Sequence, residues 1–229
     1  MADFTDSLEE IELGAARKLT LTAADKRRTA YHEAGHALVG MLTPGADPVR
    51  KISIIPRTMS LGVTLSAPGS DRFNYDKQSL LARIKVATGG RAAEEVAFGD
   101  ETTGAESDIR QATTLARDMV ARFGMSEEIG FVSVLPRAGN GSALMPGVSE
   151  VSERTRQRID DEIRRIVGEA LSYAIKLLTG NRHRLDSLAE ALVRAETLGE
   201  SEAYAAAGID RPVGAPTPDQ AKSALVGST

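Results

Sequence analysis

The chain has 229 residues, enough to bury a sizeable core, and a net charge of −4 that gives no electrostatic case for nucleic acid. It contains no cysteine, which excludes disulfides and thiolate metal ligands, so any metal must be held by histidine or carboxylate. No apolar run approaches the ~18 residues that cross a bilayer, and Met-Ala-Asp-Phe-Thr-Asp at the start lacks a signal pattern. The expectation is a soluble chain without direct membrane contact.

In chain order, residues 5–18 are acidic and weakly periodic, which predicts a short helix ending near Gly14. Thr22-Ala-Ala-Asp25 supplies an N-cap and a first-turn acid for a helix over about residues 23–42, with Ala34, Ala37, Leu38 and Met41 on one apolar stripe. Thr43-Pro44-Gly45 stops it. The β-branched runs Lys51–Pro56 and Gly62–Ser66 predict a hairpin or two neighbouring strands. A helix from Tyr75-Asp76 carries Leu80, Leu81, Ile84 and Val86 up to Gly89-Gly90, and another helical segment covers 91–98. Thr103 and Glu106 have capping-box spacing, so a helix should begin there with Asp108 in its first turn. Phe131–Leu135 reads as a strand and 136–149 as a Gly/Pro/Ser-rich connector. Beyond it, Ile159, Ile163, Ile166, Ala170, Ala174 and Leu178 mark a long helix, and Leu185, Leu188 and Leu192 a second, suited to a core or a subunit interface. The tail over 207–229 is predicted to be disordered.

The chemistry concentrates at His32-Glu33-Ala34-Gly35-His36. Residues four apart on a helix share a face, so His32 and His36 can bind one metal while Glu33 reaches a water beside it. That is the arrangement of a zinc peptidase, with Glu33 as candidate base. A catalytic zinc site needs a third protein ligand. The extended metzincin form is excluded, because Val39 and Leu42 stand where its glycine and third histidine belong. His183, far away in sequence, reads as a helix-end residue. Two carboxylate sources remain open: Glu94-Glu95 and Asp108. Asp108 has a competing reading as a helix-dipole partner, Glu94 and Glu95 as a solvated face or a pair with Arg91.

Six motifs carry a family resemblance: Thr29-Ala-Tyr-His-Glu-Ala-Gly-His-Ala-Leu-Val-Gly40, Lys51-Ile-Ser-Ile-Ile-Pro-Arg57, Leu61-Gly-Val-Thr64, Gly89-Gly-Arg-Ala-Ala-Glu-Glu95, Thr102-Thr-Gly-Ala-Glu-Ser-Asp108 and Phe123-Gly-Met-Ser126. In that order, and with Ala195-Glu-Thr-Leu198 near the end, the chain resembles the FtsH family of hexameric, membrane-anchored, ATP-dependent zinc proteases over about residues 3–205. The resemblance implies a mainly α FtsH-like zinc peptidase helical domain with a small β-sheet element. It implies Zn2+ held by His32, His36 and Asp108, with Glu33 as base. It further implies unfolded polypeptide or membrane-protein substrates, a homo-hexamer, an AAA ATPase partner, and a place on the cytoplasmic side of a bacterial inner membrane or its organelle equivalent. Residues 1–20 resemble the end of the ATPase lid region, and 21–206 the peptidase domain, divided into a catalytic part (21–135) and a C-terminal helical part (150–206). Neither transmembrane helices nor a Gly-x-x-x-x-Gly-Lys-Ser/Thr phosphate loop is present, and Ser107 stands where the family often has Asn.

The strand Gly62-Val63-Thr64-Leu65 offers an edge on which an extended peptide can add as a further strand. Two rival readings are a non-catalytic oligomerisation or docking module with the same fold, and an unrelated soluble zincin whose third ligand is Glu94 or Glu95.

Overall fold

Thr22 starts the first helix, α1 (Ala23–Leu42): its hydroxyl accepts the Asp25 N–H at 3.1 Å, satisfying a backbone donor that the helix cannot. The computed structural model describes residues 22–56, 62–67, 74–134 and 151–211. The expected helix at 5–18, the ATPase-like segment 1–20, the connector 136–149 and all of the expected tail 207–229 beyond 211 lie outside the described residues; the start of that tail is corrected, since Ala207 is buried in a helix and Ile209 packs against the core. The one-sided stripe expected for α1 is corrected. Its middle is buried on all sides, from Ala30 and Tyr31 through Glu33 to Gly40. The small residues Ala30, Ala34, Gly35, Ala37 and Gly40 let neighbours close in around it, and a helix enclosed in this way is central rather than amphipathic.

The two β-branched runs do pair. Strand β1 (Val49–Ser53) lies antiparallel to β2 (Val63–Ser66), with Ile52 opposite Thr64. A three-residue strand, β3 (Thr197–Gly199), completes the sheet in the order β2-β1-β3, with Leu198 opposite Ile52. Among the described residues, β2 is therefore an edge strand.

Helix α2 (Lys77–Ala87) begins at Asp76, whose carboxylate accepts the Ser79 N–H at 2.7 Å. The Gly-Gly pair expected to separate two helices instead lies inside the first turn of α3 (Gly89–Phe98), and Thr88 is the joint. Packing against α1 explains the shift. A Cβ on Gly35 would meet Gly89 O at 2.3 Å and Ala93 Cβ at 2.5 Å, so glycine is required where the two backbones touch.

A 3₁₀ turn over Thr103–Ala105 leads into α4 (Glu106–Ala121). Asp108 sits in the first turn as expected, but the capping box does not form. Thr102 caps the 3₁₀ turn through Gly104 N–H at 3.3 Å, while Glu106 pairs forward with Arg110. The expected strand at 131–135 is absent among its described residues, 131–134. Gly130 turns with φ +87°, Val134 N–H bonds to Ala121 O at 2.8 Å, and Phe131 is 94% exposed. A β-branched run without a partner strand gains nothing from extension into a sheet.

The long stripe forms α5 (Glu153–Gly180), followed by α6 (Arg182–Ala195) and α7 (Glu200–Ala207). The N-terminal half of α5, through Ile159, Ile163 and Ile166, packs with α2 and α4, while Ala174 and Leu178 join the core around α1, α6 and the sheet. One helix therefore ties both halves of the interior together. No helix among the described residues is long and apolar enough to cross a membrane.

Candidate metal centre

The middle of α1 brings His32 and His36 to one face, and the first turn of α4 meets them with Asp108. His36 Nε2 lies 3.1 Å from His32 Nε2, and Asp108 Oδ2 lies 3.0 Å from His32 Nε2 and 3.3 Å from His36 Nε2. Ligands of a tetrahedral zinc at its usual bond lengths stand about 3.3 Å apart, so this triangle has the dimensions of three corners of such a site. His32, His36 and Asp108 form a metal-capable group among the described residues, whereas Glu95 and the exposed His183 lie apart from it.

Each ring is fixed from its far side. His36 Nδ1–H donates to Val86 O at 2.8 Å, and because a carbonyl can only accept, Nε2 is left with its lone pair pointing inward. His32 Nδ1–H donates to Glu94 Oε1 at 2.8 Å, a carboxylate–histidine pair of the kind that orients metal ligands. Glu94 thus faces the opposite nitrogen of the ring from the point where the three donors converge. Gly90, one turn before Glu94 on α3, lets the helix close over both imidazoles. A Cβ there would lie 2.5 Å from His32 Nε2 and 2.6 Å from His36 Nε2.

The electrostatics call for a cation. Burial pushes the His32 pKa down, but its hydrogen bonds to Asp108 and Glu94 and the charge of Glu33 outweigh that and raise it to about 10. Burial pushes Asp108 up, yet its hydrogen bonds to His32 and His36 hold it well below the usual carboxylate range. Glu94 is raised by burial and then brought below the ordinary value by hydrogen bonds to His32, Thr102 and Arg28. All three shifts favour positive charge at the centre of the triangle, which a divalent metal supplies. A metal that displaces the His32 proton would meet two imidazole nitrogens and a carboxylate, a donor set that fits zinc.

Glu33 is buried on the adjacent face of α1. Burial raises its carboxyl pKa, against the lowering effects of His36, His32 and the Thr64 hydroxyl. Thr64 Oγ1 donates to Glu33 Oε2 at 2.8 Å and shares the same proton with Glu33 O at 3.1 Å. Gly62 lies against Oε1, which a Cβ there would approach to 2.6 Å. A cleft of about 1000 Å³ opens over Glu33 and the three donors. Gly62, Val63, Thr64 and Ser66 form one wall, and Leu65 is not part of it. The sequence alone assigns Thr64 to a peptide-binding strand and carries no sign of its bond to Glu33. It offers Glu94 as a ligand, a solvated residue or a partner of Arg91. The spacing of Gly90 and Glu94, one helical turn apart, was the available signal that both face α1.

A mainly helical domain built around a buried His-Glu-x-x-His helix, with a carboxylate from a second helix completing the donor triangle, has the makings of a metallopeptidase. The chain belongs to peptidase family M41, whose family model matches residues 19–205. It is 57% identical over 209 residues to the ATP-dependent zinc metalloprotease FtsH 3 of Conexibacter woesei, a match covering 91% of this chain and 28% of that protein. It is 52% identical to the ATP-dependent zinc metalloprotease FtsH of Thermobaculum terrenum, covering 87% of this chain and 31% of that one, and 49% identical to that of Syntrophus aciditrophicus, covering 90% and 28%. The chain thus spans about three-tenths of the length of these relatives.

Proposed function

We propose that this chain is a zinc-dependent endopeptidase that hydrolyses peptide bonds of unfolded polypeptides. The convergence of His32 Nε2, His36 Nε2 and Asp108 Oδ2 beside the buried carboxylate of Glu33 carries the reading. His32, His36 and Asp108 would hold the zinc, which when bound supplies a Lewis acid and lowers the pKa of water. Glu33 takes a proton from the attacking water and returns it to the departing amine. Thr64 holds Oε2, so that Oε1 is the oxygen available to move the proton. The edge of β2, unpaired among the described residues, at Gly62, Val63, Thr64 and Leu65, binds the backbone of an extended substrate as an added strand. The names of the relatives support an ATP-driven feeding step. An AAA ATPase ring would deliver unfolded or membrane-protein substrates to a homo-hexamer of this domain at the cytoplasmic face of a membrane.

A third ligand at Glu94 is disfavoured because that carboxylate engages His32 Nδ1, away from the donor triangle. A docking module without catalysis would have no need of a buried acid aimed beside three convergent donors. The deciding experiment is metal content with casein cleavage. The wild-type chain should carry zinc and cleave casein, and Asp108→Ala should lose both. Full zinc retention in Asp108→Ala, or cleavage by metal-free protein, would overturn the assignment.

Thr64→Val tests the setting of the base. The Thr64 hydroxyl stabilises the charged carboxylate, so its removal raises the Glu33 pKa further. A base must be deprotonated to act, so the acid limb of the kcat/KM profile should move to higher pH with zinc content unchanged. An unmoved acid limb would remove Thr64 from this role.

A further inference from the structure

Arg28 lies one helical turn before His32 on α1 and is absent from every motif read from the sequence. Its guanidinium joins two carboxylates from one side: Nη1 is 2.7 Å from Asp100 Oδ1 and 3.3 Å from Glu94 Oε2, and Nη2 is 3.4 Å from Asp100 Oδ2. The same group lies 4.6 Å from the centre of the Phe98 ring, which holds it in place. Glu94 is almost wholly enclosed, with its side chain 3% exposed, and a carboxylate so enclosed keeps one orientation only while all its partners are present. Those partners are His32, Thr102 and Arg28.

The second carboxylate matters for a different reason. Asp100 and Thr102 belong to the short connection between α3 and the 3₁₀ turn, and that turn leads directly into the helix carrying Asp108. Arg28 therefore grips both arms of the donor triangle. Through Glu94 it steadies the ring of His32, and through Asp100 it pins the connection from which Asp108 is presented. A lysine cannot reproduce this, because a point charge on a flexible stem lacks the planar fork that spans two carboxylates.

We propose that Arg28 is a positioning residue for the metal centre, setting zinc affinity by bracing Glu94 against His32 and the 99–102 connection against α1. This rests on the zinc peptidase reading above. Arg28 also lines the cleft, so the readouts are metal affinity and ligand geometry rather than turnover.

The test is zinc affinity of the full 229-residue chain, measured by competition with a chromophoric chelator, together with the visible absorption of the cobalt-substituted protein, which reports ligand geometry without turnover. Loss of an outer partner of a metal ligand typically costs about 10- to 100-fold in affinity, and Arg28→Gln is expected at the lower end, about tenfold, with a changed cobalt spectrum. Arg28→Lys should recover only part of this. Asp100→Asn, at a side chain 61% exposed, should weaken zinc in the same direction by less, and the double variant should bind no more weakly than Arg28→Gln alone. Arg27→Gln, whose guanidinium rests over Tyr31, should bind as wild type. If Arg28→Gln fails to fold, Arg28→Lys and Asp100→Asn decide the matter. Wild-type affinity and an unchanged cobalt spectrum in the folded variants overturn the role of Arg28 alone. A wild-type chain that takes up no zinc overturns the metal reading and this proposal with it.

Discussion

Glu33→Gln is expected to keep its zinc and lose peptide hydrolysis by about 10²- to 10⁴-fold, the usual contribution of a positioned general base. The amide preserves the shape of the side chain in a space closed by Gly62 on one side and Thr64 on the other. It can still accept a hydrogen bond from Thr64 through its carbonyl oxygen, but it has no basic oxygen to take the proton. Because Glu33 contributes no atom to the donor triangle, metal content should stay at the wild-type value. Steady-state cleavage of an unfolded protein, with zinc measured on the same sample, checks both halves. Near-normal turnover would remove Glu33 from the chemistry.

Gly35→Ala should damage the fold rather than the chemistry. An added methyl would stand 2.3 Å from Gly89 O and 2.5 Å from Ala93 Cβ, and neither neighbour is the movable end of a flexible side chain. Alanine gains about 1 kcal/mol of helix propensity over glycine, which is smaller than the cost of forcing two packed helices apart. We expect a net loss of about 3 kcal/mol, at the upper end of overpacking effects. For a chain of this size that lowers Tm by about 6–12 °C, measurable by circular dichroism. An unchanged melting temperature would show that α1 and α3 separate at little cost.

Much of this was legible because the signals were local. The ends of α1 follow from Thr22 and Thr43, the long stripe of α5 from a regular repeat, and the two imidazoles from spacing on one helix. Gly35 pointed to a close approach, and the partner proved to be α3. What was hidden depended on tertiary neighbours. The enclosure of α1 on all sides could not be read from its own pattern, since small residues look neutral in a periodicity count. Strand β3 is three residues long and exists only because β1 offers it an edge. The supposed strand at Phe131 failed for the converse reason, having no edge to join. At the site, spacing leaves Glu94, Glu95 and Asp108 open and only the family resemblance points to Asp108; folding places Asp108 against both imidazoles and Glu94 behind one of them.

The sheet has a consequence for the order of assembly. Its middle strand takes one neighbour from residues 63–66 and the other from residues 197–199, so one pairing is local and the other spans most of the chain. Ser53 and Ile54 are tied to that distant segment as well, Ser53 Oγ to Thr197 Oγ1 at 2.8 Å and Ile54 N–H to Glu196 O at 2.9 Å. On a ribosome the early hairpin emerges long before its brace, and contacts of such sequence separation form late. The ledge on which a peptide would lie is thus buttressed only once nearly all of the folded region has been synthesised, so a half-made chain presents its histidines without a firm surface to hold anything against them.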